Sequence, residues 1–295
     1  MSRSIRFVLA LIIGVAVNAA AGPPQENVRP VPAATFSEFH CTGFISSSQM
    51  PATIRVFNGA DNDFDEALQE FTSKDYIYLR RTDHQVFHVG DAYSIIRSET
   101  GFLLNPAWLP GKIQNQILPP ASAYPFQRYD IKKLGWPYDN TGLVRVVKLT
   151  PQGAIAKVVF TCNGIYPQDI AVPYQPKPIP FFIPNTRLDR FALPNGKLQG
   201  IIVADSTASD ILARGSIAFL NIGRTQGVAA SQRYHIFAIS RQVPVKGLEG
   251  LFGRPQSPRE TIGELVILHV RQKSSVGVIV NSLRQIAIGD GVELE

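Results

Sequence analysis

The chain predicts a mostly β protein made of two related small β-barrel or sandwich domains, with one short helix in the first. Three observations carry that prediction. Short apolar strands recur at even spacing with turn residues between them and almost no helical periodicity. Residues 141–172 lie over 262–293 without a gap at a constant offset of 121, so that Gly142/Gly263, Ile165/Ile286 and Asp169/Asp290 coincide. Val144/Leu265, Val146/Ile267 and Val158/Ile279 are apolar in both copies. A second block, 75–96 over 216–237 at an offset of 141, brings Tyr78/Phe219, Leu79/Leu220 and Tyr93/Tyr234 into register. A unit of about 130 residues indicates a duplicated domain rather than a solenoid, whose repeats are far shorter.

Residues 1–21 read as a secretory signal: Arg3 and Arg6 start it, Phe7 to Val17 form an apolar core, and Ala19-Ala20-Ala21 offers small residues for cleavage. The apolar run falls well short of the ~20 residues that span a bilayer, and no later stretch reaches that length. The expected product is therefore exported, periplasmic or extracellular, with no transmembrane segment after signal cleavage. Losing Arg3 and Arg6 lowers the formal charge from +6 to +4 (6 − 2). The basic residues are scattered, which argues against nucleic acid as a partner.

Residues 22–35 form a proline-rich tether, held extended by fixed φ angles. The first domain is expected over 36–172. A strand is read at 41–46, and a helix at 61–73, where Phe64, Leu68 and Phe71 share one face. Further strands are read at 75–80, 92–97, 143–149 and 154–162. Six prolines in 173–196 mark a linker, whose Phe181-Phe182-Ile183 run suggests docking on a surface. The second domain, 197–295, has strands at 198–204, 216–222, 233–241, 263–271 and 276–282.

One pattern conflicts with the repeat. Ala156, Val158, Phe160 and Cys162 make one apolar face, whereas Val276, Val278 and Val280 take the opposite parity. A one-residue slip would turn every side chain to the other face. Either a bulge intervenes or the second strand is covered on both faces.

Cys41 and Cys162 are the only cysteines, and an exported chain should oxidise them to one disulfide. Aligning Gly43 with Gly200 sets Cys41 opposite Leu198, while Cys162 already matches Leu283. The second domain is then expected to place two leucines where the first has a bridge.

The segment 98–140 concentrates aromatic residues: Trp108 and Trp136 with Phe102, Tyr124, Phe126, Tyr129 and Tyr138, punctuated by six prolines. A loop this long in a compact domain is functional or disordered, and its aromatic content opposes disorder. Trp108, Tyr124, Phe126, Tyr129, Trp136 and Tyr138 are the expected binding residues. The competing reading is that their rings fold back and seal the barrel.

Catalytic and cofactor signatures do not stand out. Neither a nucleophile elbow nor a phosphate-cradling glycine loop nor a His-Glu-x-x-His helix occurs in the sequence. His84 and His88 beside Asp83 and Asp91 are the nearest approach to a metal set, and the Gly90-Asp91 turn explains the aspartate more simply. His40, His235 and His269 stand alone in apolar strands and read as structural. Asp169 and Asp290 recur in Gly-Asp or Gln-Asp contexts that favour turn chemistry. No metal or cofactor is expected.

The last hundred residues resemble a known module. Phe219 to Leu220, the turn glycines Gly223 and Gly227, Tyr234 to Ile239 and a hairpin closing on Gly289-Asp290 look like the small C-terminal β-domain of two sets of bacterial envelope proteins. These are the LysM-bearing peptidoglycan-binding proteins and the flagellar H-ring assembly protein T. The chain lacks a LysM module, so peptidoglycan binding is not carried over. The resemblance implies a non-catalytic module for binding or assembly in a bacterial envelope, with an envelope protein or polysaccharide as partner. The alternative is an enzyme acting on envelope polysaccharide, with its site on 98–140.

Overall fold

The computed structural model describes residues 29–59, 70–83, 85–98, 131–184, 187–206, 209, 211–239 and 259–295. In the first half, β1 (Val31–Pro32), α1 (Phe36–His40) and β2 (Phe44–Ser46) lead into six longer-range strands. These are β3 (Ile54–Gly59), β4 (Tyr76–Arg81), β5 (Ala92–Ser98), β6 (Trp136–Thr150), β7 (Gly153–Thr161) and β8 (Ile170–Pro173). After β9 (Phe181–Phe182) come β10 (Gln199–Asp205), β11 (Ile211–Leu212), β12 (Ile217–Leu220) and β13 (Arg233–Ile239). The chain finishes with β14 (Arg259–Val270), β15 (Ser275–Ser282), β16 (Ile286–Ala287) and β17 (Gly291–Leu294).

Both halves close into six-stranded antiparallel barrels with one topology. The first pairs β6, β5, β8, β3, β4 and β7 in that order and returns to β6, with β2 added outside on β6. The second pairs β14, β13, β17, β10, β12 and β15 in the same order and closes likewise. Closure removes the exposed edges that an open sheet would present.

The likeness extends to register. Val144 faces Val158 across β6 and β7, as Leu265 faces Ile279 across β14 and β15. Register shifts fall between Leu143/Val144 and Val146/Lys148 in one hairpin, and between Glu264/Leu265 and Ile267/His269 in the other. The shift between Ile95 and Ile96 likewise recurs between Ile236 and Phe237. Offsets are 121 for the last three strands, 141 for the second and third, and 146 for the first, where Val56 matches Ile202. Left-handed backbone recurs as well: Lys74 with Gly215, Gly90 with Ser231, and Gln168 with Gly289. A positive φ is uncommon outside glycine, so the same turn geometry persists in each copy whichever residue carries it.

Each barrel is filled by matched side chains. Val56, Leu79, Tyr93, Ile95, Val144, Val146, Val158 and Ile165 pack the first. Ile202, Leu220, Tyr234, Ile236, Leu265, Ile267, Ile279 and Ile286 occupy the corresponding places in the second. The conflict of parity is thereby resolved. Ser275, Gly277 and Ile279 face inward like Ala154, Ala156 and Val158, and Val276 and Val278 face outward into a separate apolar cluster. β15 is covered on both faces.

That outer cluster joins the halves. Val203, Ala204, Ile217, Phe219, Val266, Leu268, Val276 and Val278 of the second barrel pack against Ala33, Ala34, Phe39, Ile45, Ile131 and Leu134. Ile179 and Phe182 from the proline-rich linker complete it, and β9 pairs with β1. The linker therefore docks, and Val31-Pro32 at the end of the tether is fixed as a strand. Polar contacts border the cluster. Ser274 Oγ donates to Ile45 O at 2.9 Å, Ser47 Oγ to Gln272 Oε1 at 2.8 Å, and the Arg271 guanidinium lies 3.7 Å from the Phe44 ring centroid.

Cys41 and Cys162 form the expected disulfide, with Cα atoms 5.5 Å apart. It ties the end of α1 to the residue following β7. The 41–46 strand begins later than expected, because Thr35 and Glu38 build a capping box that starts α1 at Phe36. Of the helix expected over 61–73, residues 61–69 lie outside the described residues; Phe71 is buried and bridged to Ile165. The expected loop 98–140 is shorter than its bounds, because 136–140 belong to β6. Pro137 sits there opposite Ile45 in the outermost pair of the sheet, where a strand tolerates a missing N–H.

Candidate functional site

A groove of about 560 Å³ lies on the outside of the first barrel. Its floor follows from register. Ile96 on β5 pairs with Ile170 on β8, and Ser98 pairs with Tyr138 on β6, so alternation turns these side chains to one outer face. Phe44, Ile96, Tyr138 and Ile170 form a small apolar cluster there, with Met50 and Ala52 against it. The connection between β2 and β3 supplies one wall through Gln49, Met50 and Ala52. Tyr138 anchors this wall by accepting the Met50 N–H at 2.8 Å.

The opposite wall is polar. Arg97 donates from Nε and Nη2 to the two oxygens of Asp169, each at 2.8 Å, and from Nη2 to Gly164 O at 3.0 Å. Its guanidinium stands 4.5 Å from the Tyr166 ring centroid. Asp169 is nearly fully buried and also accepts the Tyr166 N–H at 2.9 Å, so its charge is matched on both sides. Arg55 donates to Gln168 O at 2.7 Å and is otherwise exposed on the rim. A hydrogen bond to Glu70 raises the Tyr166 phenol above its usual pKa.

The second barrel is an internal reference for this groove. By the shared register, Ala238 stands where Arg97 does, Ile201 where Arg55 does, Ala287 where Tyr166 does, and Gly291 where Ile170 does. Asp290 keeps the turn role of Asp169, accepting the Ala287 N–H at 2.8 Å. Among the described residues, the cationic and aromatic rim is thus particular to the first copy.

The sequence-predicted binding residues divide three ways. Trp108, Tyr124, Phe126 and Tyr129 lie outside the described residues. Trp136 is on β6, 46 % exposed, opposite Ser46. Tyr138 is 2 % exposed and stacked on Phe44 with ring centroids 5.5 Å apart, so it forms the groove floor and is not an exposed anchor. Alternation within β6 turns it to the outer face, where Phe44 and Met50 cover it, which a reading of the segment as loop misses.

The histidines also redistribute. His84 lies outside the described residues, His88 is exposed, and Asp83 is held by Arg81. His269 is structural, with Nε2 2.8 Å from Phe39 O, and burial pushes its pKa down to about 4. His235 does not stand alone: Glu264 and Glu295 converge on it. Residues that share a barrel face through register, at separations of 29 and 60 in sequence, leave no local signal. Among the described residues, no helix is long and apolar enough to cross a membrane. Comparison with family models and with curated proteins finds no match to the chain.

Proposed function

We propose that the protein is an exported binding or assembly module of a bacterial cell envelope, non-catalytic, and that the groove on the first barrel receives its partner. The observation that carries the reading is the groove's make-up. Its apolar floor, tyrosine rim and two arginines suit recognition of a protein segment or polysaccharide. Among the described residues, its lining contains one carboxylate, Asp169, already committed to Arg97 and the Tyr166 N–H. Glycoside hydrolysis ordinarily uses two carboxylates flanking the bond. The enzyme reading therefore draws no support from this groove. The apolar run of residues 1–21 and the Cys41–Cys162 bridge support export.

Photo-cross-linking in cells tests the reading. A photoreactive residue at Gln49, on the groove wall, is expected to give a discrete adduct in the envelope fraction. The same residue at Lys197, on the second barrel, is expected to give none. Equal labelling at both positions, or protein retained in the cytoplasm with residues 1–21 intact, would overturn it.

A further inference from the structure

We propose that His235, Glu264 and Glu295 form a binding site for a divalent transition-metal ion of the zinc class. The three residues come from adjacent strands of the second barrel. His235 on β13 pairs with Glu264 on β14 and, across the other edge, with Glu293 on β17, two residues before Glu295. Tyr234 and Ile236 point into the barrel, so His235 and its partners share the outer face.

Their donor atoms converge. His235 Nε2 is 3.8 Å from Glu264 Oε1 and 3.4 Å from Glu295 Oε1, and the three ligand atoms all lie within 4.8 Å of one another. Neither approach to the imidazole nitrogen is short enough for a good hydrogen bond, and one ring N–H cannot point at two carboxylates. The spacing suits an ion in the middle. Zinc bonds of ~2.0–2.2 Å in tetrahedral array set ligand atoms about 3.4 Å apart. Glu295 is oriented for the task, because Arg233 Nε binds its Oε2 and leaves Oε1 toward the histidine. Held ligands of this kind are the usual support of a metal centre. Glu264 is almost completely buried, so its carboxylate is held at a fixed place beside the imidazole. The neighbouring Glu293 is committed elsewhere, to Arg259 and to Gln199 at 2.8 Å.

The first barrel shows that the fold does not require these side chains. Ser94, Leu143 and Tyr174 stand at the positions of His235, Glu264 and Glu295, and Ala92 at that of Arg233, on the same strands in the same register. A set of three donors and its orienting arginine thus belongs to one copy alone. Three protein ligands leave a fourth tetrahedral position for water or for a donor from a partner.

The test uses the oxidised, untagged chain stripped with a chelator and titrated calorimetrically with zinc chloride near neutral pH. One ion per chain is expected. His235→Ser and Glu264→Leu, which install the residues of the first barrel, are expected to weaken binding about tenfold or more, while His88→Ala leaves it unchanged. Glu295→Gln serves as a third variant should either of the others fail to fold. Cobalt titration adds a direct readout: visible absorption bands of a low-coordinate ion, absent in His235→Ser. Absence of binding at millimolar zinc would overturn the proposal, as would binding that His235→Ser leaves intact.

Discussion

Cys162 and Leu283 occupy the same place in the two barrels. Each follows the end of the fifth strand, and each donates its backbone N–H to the matching carbonyl, Thr141 O at 2.9 Å and Ile262 O at 2.8 Å. Cys162 is bonded to Cys41, whereas Leu283 is half exposed. The leucine pair expected to replace the bridge does not occur. Leu198 precedes the first barrel strand of its half and packs against the interior cluster, and its counterpart by register is Ala52. Cys41 lies at the exit of α1, a helix without a counterpart among the described residues of the second half. The bridge is therefore an addition that fastens the α1 segment, and with it Phe39, between the barrels.

The stability contributed by the bridge should be substantial. It closes a loop with a sequence separation of 121, worth about 4–5 kcal/mol in the chain-entropy view. Replacing both cysteines by alanine is expected to lower the urea midpoint correspondingly. Thiol titration of the unreduced, denatured wild type should find no free thiol.

Acid should loosen the junction between the halves. Burial holds His269 neutral in the fold, with its pKa down to about 4, against about 6.5 in an unfolded chain. Between those values the unfolded state takes up a proton that the folded state refuses, so stability falls as pH drops from 6.5 toward 4. The loss reaches about 3 kcal/mol at the lower end. Urea unfolding at pH 7 and pH 4.5 measures it, and His269→Gln should flatten that dependence.

Trp136 and Tyr138 should behave differently despite their closeness. Trp136→Ala removes a half-exposed ring and is expected to shift stability by less than ~1 kcal/mol. Tyr138→Ala opens a cavity beneath Met50 and is expected to cost about 3–5 kcal/mol. Thermal unfolding of the two variants separates them.

Arg97→Ala should be among the most damaging changes at the groove. It leaves the buried Asp169 carboxylate without its bidentate partner, a loss of about 3–5 kcal/mol. Asp290 is more accessible to water than Asp169. Asp290→Asn is therefore expected to cost less than Asp169→Asn.

Much of the architecture was legible in the sequence because apolar alternation and turn residues act locally. The strands read at 75–80, 92–97, 198–204 and 276–282 stand within a residue of their observed bounds, and the offset of 121 is the true register of the last hairpin. The closing strands were harder. β8 and β17 have four residues each, too few to show a period, and Pro173 disguises the first. β15 misled by parity because its outward valines are buried by another segment, which is a tertiary fact. The groove was invisible for the same reason. Arg55, Arg97, Tyr138 and Asp169 meet only through strand order, and only the turn role of Asp169 could be read from its neighbours.

The most direct test of the account is co-sedimentation of the purified, oxidised chain with an isolated bacterial envelope fraction, comparing wild type with Ala52→Trp. Ala52 lines the groove at its wall, so an indole there fills it without touching either barrel interior. Saturable binding that Ala52→Trp abolishes, with unfolding unchanged, is the predicted result. Binding that survives the filled groove would contradict the assignment of the partner to this surface.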